Sequence, residues 1–292
     1  MNGCQVGVIG ASSFVGGCVL SRLTQLGCRV TAYSRSLKEG RSDGVVWRQL
    51  SPHSSPYSAP GQKPVNHWIC SAPIWVLPEH FALLEAHRAQ RVVVLSSTSR
   101  LTKSGSPDLE EQAVARRLAE AESYLQVWAE ERGIDWVVLR PTLIYGLGRD
   151  QNIGEIARFI RRFRFFPLFG KADGLRQPIH AQDVADACVD ALRTSAVRNR
   201  TYNISGGETL TYREMVNRIF KAMDRPPFLL RVPLFAFRAS VSLVRLLPRC
   251  RHWSAAMAER MNRDLVFDHG EASQDFAFQP RKFDLSAQDL PE

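Results

Sequence analysis

Apolar and polar positions follow two different spacings along the first half of the chain, and the two spacings alternate. Short continuous apolar runs are typical of strands buried on both faces, whereas apolar residues three and four apart are typical of helices. The predicted strands are Cys4–Ile9, Arg29–Tyr33, Val45–Trp47, Val65–Cys70, Arg91–Leu95 and Asp135–Leu139, and the predicted helices are Phe14–Leu26, Pro78–Ala89 and Asp108–Arg132. Strands that alternate with helices predict an α/β fold with a doubly wound parallel sheet.

The pattern changes after residue 148, where the regular alternation stops. The elements predicted beyond this point are the helices Asp183–Arg193 and Tyr212–Met223 and the strand Thr201–Ile204. We therefore predict a first domain over residues 1–150 and a smaller second domain over residues 151–292. Within the second domain, residues 177–204 are expected to return to the sheet of the first.

Composition narrows the class of protein. The chain has 292 residues, of which 45% are apolar and 23% charged, a balance that is typical of a globular protein with a substantial core. Six cysteines are scattered without a C-x-x-C spacing, so we expect no metal site and a reducing, cytoplasmic compartment. We expect no secretory leader, because a strand-turn-helix pattern begins at residue 4. We also expect no transmembrane span, because no stretch reaches 18 uncharged apolar residues.

The charge is strongly positive, at +9, and only six of the 38 basic residues are lysines. Arginine favours phosphate recognition, although surface solubility accounts for the same excess equally well. No zinc-finger, helix-turn-helix or RNP pattern is present, so nucleic acid is not an expected partner. An anionic small molecule and a membrane surface both fit the charge.

The strongest local signal is a glycine-rich turn, Gly10-Ala-Ser-Ser-Phe-Val-Gly16, between the first strand and the first helix. Gly10 permits a tight turn, Gly16 permits close packing of helix on strand, and the free amides at the helix start suit a pyrophosphate. Ser13 stands where one version of this motif has its middle glycine, and its hydroxyl could bond a phosphate. The alternative is a turn that binds nothing. The predicted cofactor contacts here are Gly10, Ser12, Ser13, Phe14, Val15 and Gly16.

The end of the second strand bears on which dinucleotide is bound. An NAD-specific site needs an acidic residue here to take the ribose 2′-hydroxyl, and this chain has Ser34, Arg35 and Ser36 instead. Arg35 suits a 2′-phosphate, so we predict NADP as the cofactor, with NAD as the second choice. The alternative is that Arg35 is an ordinary solvated residue at a strand end.

Five blocks in order along the chain carry a resemblance to a known family. They are GASSFVG (10–16), VVVLSST (92–98), LRPTLIYG (139–146), QPIHAQDVADA (177–187) and YNISGGETLTYREM (202–215). In this order and spacing the chain resembles the extended short-chain dehydrogenase/reductase family, also called the NAD-dependent epimerase/dehydratase family. The resemblance implies a Rossmann-type domain followed by a smaller substrate domain, typically for nucleotide sugars.

The resemblance also implies roles for individual residues. Thr98 matches the Ser/Thr that holds the substrate hydroxyl or carbonyl and is our candidate catalytic residue. His180 and Asp183 match a block that ties the two domains together. The resemblance further implies that the nicotinamide half of the cofactor is lined by Ser71, Ala72, Pro73, Pro141 and Leu143.

One departure from the family pattern concerns catalysis. The family's acid/base tyrosine and its lysine partner form a Tyr-x-x-x-Lys pair, and no such pair occurs in this chain. Aligning Glu122 with the glutamate that follows the pair puts Val114 and Leu118 at the two positions. Arg116 and Arg117 lie nearby, but arginine is too basic to shuttle protons at neutral pH.

Two hypotheses follow. The first is an NADP(H)-dependent epimerase-, dehydratase- or reductase-like enzyme that acts on a nucleotide- or lipid-linked sugar. The second is a catalytically inactive dinucleotide-binding module that serves as a structural or redox-sensing partner protein. The missing pair favours the second hypothesis, and the retained Thr98 and substrate-domain blocks favour the first.

Two basic segments remain. Arg162, in an arginine- and phenylalanine-rich stretch, and Arg176 are candidates for the diphosphate of a sugar nucleotide, although an amphipathic helix with solvated arginines explains the stretch equally well. Residues 228–247 are predicted as an amphipathic helix, with Arg231, Arg238 and Arg245 forming one stripe. Such a helix could cap a domain, form a homodimer contact, or lie on the inner face of the membrane.

Overall fold

The structure is a computed structural model that describes residues 4–36, 44–50, 64–233 and 259–291. Its centre is a seven-stranded parallel sheet with the strand order β11-β6-β5-β4-β1-β2-β3. These strands are β1 (Gln5–Ile9), β2 (Arg29–Ser34), β3 (Val45–Gln49), β4 (His67–Cys70), β5 (Arg91–Leu95), β6 (Asp135–Pro141) and β11 (Arg200–Ile204). The predicted α/β class with a doubly wound, Rossmann-type sheet is confirmed.

Helices cover both faces of the sheet, and two further helices belong to a separate layer. The described helices are α1 (Phe14–Gln25), α2 (Phe81–Ala86), α3 (Ser99–Thr102), α4 (Leu109–Glu131), α5 (Asn152–Phe163), α6 (Ala181–Arg193), α7 (Tyr212–Ala222) and α8 (Gly270–Phe276), of which α5 and α7 belong to the separate layer. The buried side chains of α1 and α6 share one core with one sheet face, and those of α4 share a second core with the other face. The inner strands β1, β4 and β5 are buried along nearly their whole length because both faces of the sheet are covered.

A third core holds the second layer of the molecule together. It is built from the apolar faces of α5 and α7 with aromatic residues such as Phe166, Phe220 and Phe283. Short strands connect this layer: β7 (Ile144–Tyr145) pairs with β10 (Ile179–His180), β9 (Leu175–Arg176) with β12 (Leu210–Thr211), and β8 (Phe166–Phe169) with β13 (Leu229–Val232).

Two predicted helices differ from the structure. The segment predicted as one helix over Pro78–Ala89 is a 3-10 helix, Ile74–His80, followed by the short α2. Pro78 lies inside the 3-10 helix and has no N–H to donate to a longer α-helical ladder.

The predicted helix over residues 228–247 is wrong where it can be compared. Residues 229–232 form β13, which pairs in parallel with β8 and brings Arg231 opposite Leu168. Arg231 therefore cannot lie on a helical stripe with Arg238 and Arg245, and those two residues lie outside the described residues.

The end of the described chain contacts β10 and α6 through two polar side-chain pairs. His180 caps α6, and its Nε2 lies 3.1 Å from Asp289 Oδ1. Asp183 Oδ1 accepts a hydrogen bond of 2.8 Å from Arg281 Nε. These two contacts place the residues after 280 against the turn that follows β7, next to the carboxyl edge of the sheet.

Candidate functional site

The glycine turn lies at the carboxyl end of β1, with no room for side chains at its two key glycines. Gly10 has a φ of 79°, and a Cβ there would clash with the backbone nitrogen of Ala72. A Cβ on Gly16 would clash with the carbonyl oxygen of Gly10. Backbone alone therefore forms a tight cradle at the point where strand order reverses, the position at which open α/β sheets bind ligands.

Ser13 shapes this cradle by capping α1. Its Oγ accepts a hydrogen bond of 3.0 Å from Gly16 N and lies 3.4 Å from Ser71 Oγ. The hydroxyl is thus directed into the turn and the end of β4, where it organises the helix start. An anion at this place would meet the backbone amides in preference to this side chain.

The amides of Phe14 and Val15 are the first two of α1, and a helix supplies no carbonyl for them. The first turn of α1 contains no acidic residue, so no carboxylate of the helix itself neutralises the positive end of the helix dipole. Ser12 is exposed directly before the cap. Together these groups favour a negatively charged ligand in the cradle.

Arg149 adds a positive charge that sequence reasoning missed. Its Nη1 lies 3.7 Å from the place where a Cβ on Gly17 would be, against the first turn of α1. Burial raises the pKa of the Cys18 thiol, and Arg149 is the largest opposing influence on that pKa. Gly146 and Gly148, with φ values of 115° and 62°, turn the chain so that Arg149 reaches across. No local spacing in the sequence signals this contact.

Arg35 is exposed where the second strand ends. The backbone around it is held, because Gln49 Nε2 donates to the Arg35 carbonyl over 3.2 Å and Ser34 Oγ donates to the Ser36 carbonyl. Its guanidinium makes no ion pair within the residues that the structure describes.

The predicted nicotinamide-side residues line the neighbouring strand ends. Ser71 Oγ donates towards the carbonyl oxygens of Ile9 and Gly10, at 3.2 and 3.1 Å. Ala72 adjoins Gly10, and Pro73 beyond it is exposed.

Thr98 is buried at the start of α3, and its hydroxyl donates to the Pro141 carbonyl over 3.1 Å. The structure thus brings Thr98 and Pro141 together at the ends of β5 and β6. Leu143 lies two residues further on, half-buried against the third core.

A buried carboxylate lies behind Thr98. Glu122 on α4 is 1% exposed and accepts hydrogen bonds from Ser96 Oγ at 2.5 Å and from Arg140 Nε at 3.0 Å. Arg100 Nε adds an ion pair at 3.2 Å to the other carboxylate oxygen. This network locks α4 against the ends of β5 and β6.

Val114 and Leu118, the positions aligned with the missing pair, belong to the apolar packing of α4. Leu118 is 4% exposed in the core that α4 shares with the sheet, and Val114 packs against that core. Arg117 lies instead on the outer side, its guanidinium 4.4 Å from the Trp75 ring. Within the described part of α4, apolar side chains therefore occupy both positions.

The two arginines predicted for a substrate diphosphate lie in different surroundings. Arg176 is buried, and its guanidinium donates to the carbonyls of Leu175, Arg263 and Arg260. Arg162 is exposed on α5 with its guanidinium 5.5 Å from the Phe163 ring. Arg176 joins separate backbone segments, and within the described part of the chain no contact brings the two arginine side chains together.

Two kinds of feature are absent from the described residues. No group of three or more His, Cys, Asp or Glu residues in these ranges could hold a metal ion. None of the helices in the same ranges combines the length and the apolar character that crossing a bilayer requires.

The strand order, the glycine cradle at the topological switch and the helix start behind it define a Rossmann-type fold. The family model described as "NAD dependent epimerase/dehydratase family" matches residues 80–205, from the short helices after β4 to the end of β11. This match confirms the resemblance seen in the motifs over the matched residues, which are less than half of the chain.

Among curated proteins, the UDP-glucose 4-epimerase of Vibrio cholerae is 25% identical over 120 residues, which are 41% of this chain and 37% of that enzyme. The match thus covers less than half of that relative's length. Among solved structures, UDP-glucuronic acid 4-epimerase from Bacillus cereus with NAD has a TM-score of 0.70 at 13% identity, covering 98% of this chain and 95% of the other. UDP-glucose 4-epimerase from Thermotoga maritima with UDP-glucose has a TM-score of 0.67 at 16% identity, with 94% and 93% covered. These two likenesses establish a common fold.

Proposed function

We propose that this chain binds a nicotinamide dinucleotide in the glycine cradle and acts on a sugar nucleotide as an NAD(P)-dependent epimerase-, dehydratase- or reductase-like protein. The observation that carries the proposal is the cradle itself, in which Gly10 and Gly16 leave only backbone facing the start of α1. Solved proteins of the same fold are described as bound to NAD or to UDP-glucose, which supports both halves of the proposal.

The residues around the cradle suit the parts of such a cofactor. The pyrophosphate would lie between the first amides of α1 and the Arg149 guanidinium, because both supply positive charge to the same place. Ser71, Ala72 and Pro73 would line the path from the pyrophosphate towards Pro141, and the nicotinamide, when bound, supplies the hydride acceptor or donor. Thr98 would turn its hydroxyl from the Pro141 carbonyl to a substrate oxygen.

Arg35 supports NADP over NAD. An exposed guanidinium that makes no ion pair in the described residues is free to pair with a 2′-phosphate, whereas residues 34–36 contain no carboxylate that could accept a ribose hydroxyl. Arg35→Asp should therefore weaken NADPH binding strongly and leave NADH binding nearly unchanged. Arg29→Asp is the matched control, because Arg29 is exposed at the other end of the same strand.

The first experiment is a titration of the purified protein with NADPH and with NADH, followed by nicotinamide fluorescence. Tighter binding of NADPH that Arg35→Asp abolishes would support the cradle and the 2′-phosphate contact together. Equal effects of Arg35→Asp on the two nucleotides would contradict NADP preference. Absence of binding by either nucleotide would contradict the proposed function as a whole.

A second candidate function is a dinucleotide-binding module without turnover. The observation that favours it is the packing of Val114 and Leu118 into the core of α4, which leaves those positions without a proton donor. Incubation with UDP-glucose and NADP or NAD, followed by chromatography of the sugar nucleotides, separates the candidates. Conversion that Thr98→Ala abolishes would support the enzyme, and tight cofactor binding without conversion of any sugar nucleotide would support the module.

A further inference from the structure

A group of aromatic and aliphatic side chains lies where α5 ends and β13 begins. We call it the aromatic patch, and it consists of the exposed Phe163, Phe228 and Leu230 together with the half-buried Phe165. The ring centroids of Phe163 and Phe165 are 6.3 Å apart, and those of Phe165 and Phe228 are also 6.3 Å apart, so the rings form one continuous surface. Phe163 is 47% exposed, Phe228 61% and Leu230 47%. Apolar surface of this kind, kept in contact with water, marks an interaction site.

Arginines surround the aromatic patch. Arg158 and Arg162 lie one turn apart on the exposed side of α5, and Arg164 is the exposed residue between Phe163 and Phe165. The Arg162 guanidinium stands 5.5 Å from the Phe163 ring centroid. Within the described ranges, no carboxylate forms an ion pair with any of these three guanidinium groups. The patch therefore combines apolar rings with unneutralised positive charge.

The chain that continues from the aromatic patch has the same chemical character. Residues 225–258 contain no aspartate or glutamate and six arginines, and the structure describes residues 225–233 of this segment, including β13. On the described side, Phe228 and Leu230 are exposed residues of this same segment. The acid-free composition thus continues directly from a surface that is already basic and apolar.

We propose that the aromatic patch and its arginines dock onto the surface of an anionic phospholipid bilayer. Aromatic rings favour the boundary between headgroups and acyl chains, while arginines pair with lipid phosphates. A second copy of this chain fits less well, because a twofold contact would bring the same three arginines face to face. This docking is independent of the proposed catalytic or cofactor function.

The test is flotation of the full-length protein with vesicles of phosphatidylcholine alone and of equal parts phosphatidylcholine and phosphatidylglycerol. The wild type should float with the anionic vesicles only, and less at high salt, since salt screens the charge attraction. Arg162→Gln with Arg164→Gln should weaken binding about five-fold for each arginine removed, or about 25-fold together. Phe163→Ser with Phe228→Ser should weaken it by about ten-fold or more.

Matched control variants remove two arginines or two apolar side chains that lie outside the aromatic patch. Arg29→Gln with Arg198→Gln takes two exposed arginines from the amino edge of the sheet, and Leu109→Ser with Val127→Ser takes two exposed apolar side chains from α4. Both controls should float like the wild type, and circular dichroism verifies that every variant is folded. A wild type that stays unbound, or patch variants that bind as tightly as the controls, would overturn the proposal. So would a dimer in solution that the patch variants convert to a monomer without any vesicle binding.

Discussion

Arg140 Nε donates a hydrogen bond of 3.0 Å to Glu122 Oε1, which joins the end of β6 to the middle of α4 inside the protein. Side-chain exposure is 14% for Arg140 and 2% for Glu122, so water screens the pair only weakly. Ser96 and Arg100 complete the set of partners for the same carboxylate. The position of α4, and with it the wall behind Thr98, therefore depends on one buried charge.

Removal of that charge should destabilise the protein strongly. Glu122→Ala leaves the Arg140 guanidinium buried without its partner, which costs about 3–5 kcal/mol. Urea unfolding followed by circular dichroism measures the loss. Glu120→Ala, an exposed change on the same helix, should alter the free energy of unfolding by about 0.5 kcal/mol or less. Similar effects of the two substitutions would contradict the role assigned to the network.

Substitution by alanine should lower the free energy of unfolding more at Gly10, in the glycine cradle, than at Gly27, although both glycines have a positive φ. Gly27→Ala should cost about 1–2 kcal/mol, because its φ of 71° is unfavourable but a Cβ there meets nothing within 4 Å. Gly10→Ala carries the same strain and in addition a clash with Ala72, which adds about 1–3 kcal/mol.

The two variants should also differ in cofactor binding. Gly10→Ala shifts the turn on which the amides of α1 depend and should reduce NADPH binding, whereas Gly27→Ala, at the far end of α1, should leave it intact. Thermal unfolding and fluorescence titration give the two comparisons. Equal losses at both glycines would mean that the cradle is not as tightly packed as its contacts indicate.

Arg149 should contribute to cofactor affinity. Arg149→Gln removes a positive charge from beside the first turn of α1 and should raise the Kd for NADPH about ten-fold or more, since a hydrogen bond to a charged group contributes about 1.5–3 kcal/mol. NADH should lose affinity by the same factor, because both nucleotides share the pyrophosphate. Arg198→Gln serves as the control for the loss of one charge. A selective effect on NADPH alone would place Arg149 near the 2′-phosphate and contradict the pyrophosphate contact.

Asp289 should make stability depend on pH. Burial by itself would raise the pKa of Asp289, but hydrogen bonds from Ser286, from the Leu147 amide and from His180 outweigh burial and lower the pKa below its ordinary value of 3.8. Because the unfolded chain takes up the proton first, the stabilisation is present above 3.8 and is lost as the pH falls below it. Asp289→Asn should therefore be less stable than the wild type by about 2 kcal/mol at neutral pH.

The gap between wild type and Asp289→Asn should narrow in acid, as the wild-type carboxylate becomes protonated. Urea unfolding at a series of pH values measures it. Asp284→Asn, an exposed change in the same segment, should show no comparable gap at any pH. A gap for Asp289→Asn that stays constant down to the acid limit would mean that the carboxylate charge does not matter for holding this segment.

Several elements could be predicted from the sequence alone, because neighbouring residues along the chain are enough to specify them. The nearly continuous apolar run of Arg91–Leu95 predicts a strand buried on both faces. The structure has this strand, β5, with the same bounds and with every residue buried. Gly10 and Gly16 were identified from their spacing, since a strand-to-helix turn of this length requires residues without side chains. The helix predicted over Asp108–Arg132 is α4, and Asp108 caps its start.

Other features required the tertiary structure because they join residues far apart in the chain. The bridge from Arg149 to α1 depends on two glycine turns and on the docking of separate elements, which no window of sequence contains. Residues 229–232 have a helix-compatible apolar pattern, but the open edge of β8 recruits them as a strand, since pairing satisfies backbone groups that would otherwise stay unbonded.

The sequence by itself determined the strands, the glycine turn and the resemblance to a known family, because each is encoded by short-range periodicity or by a motif of fixed spacing. Only the tertiary structure decided which charges meet. In the folded protein, Arg176 donates to three backbone carbonyls, Arg162 lies on the surface, and Glu122 is buried among its hydrogen-bond partners. The physical reason is that a charged side chain takes its role from the groups that surround it after folding, and those groups come from every part of the chain.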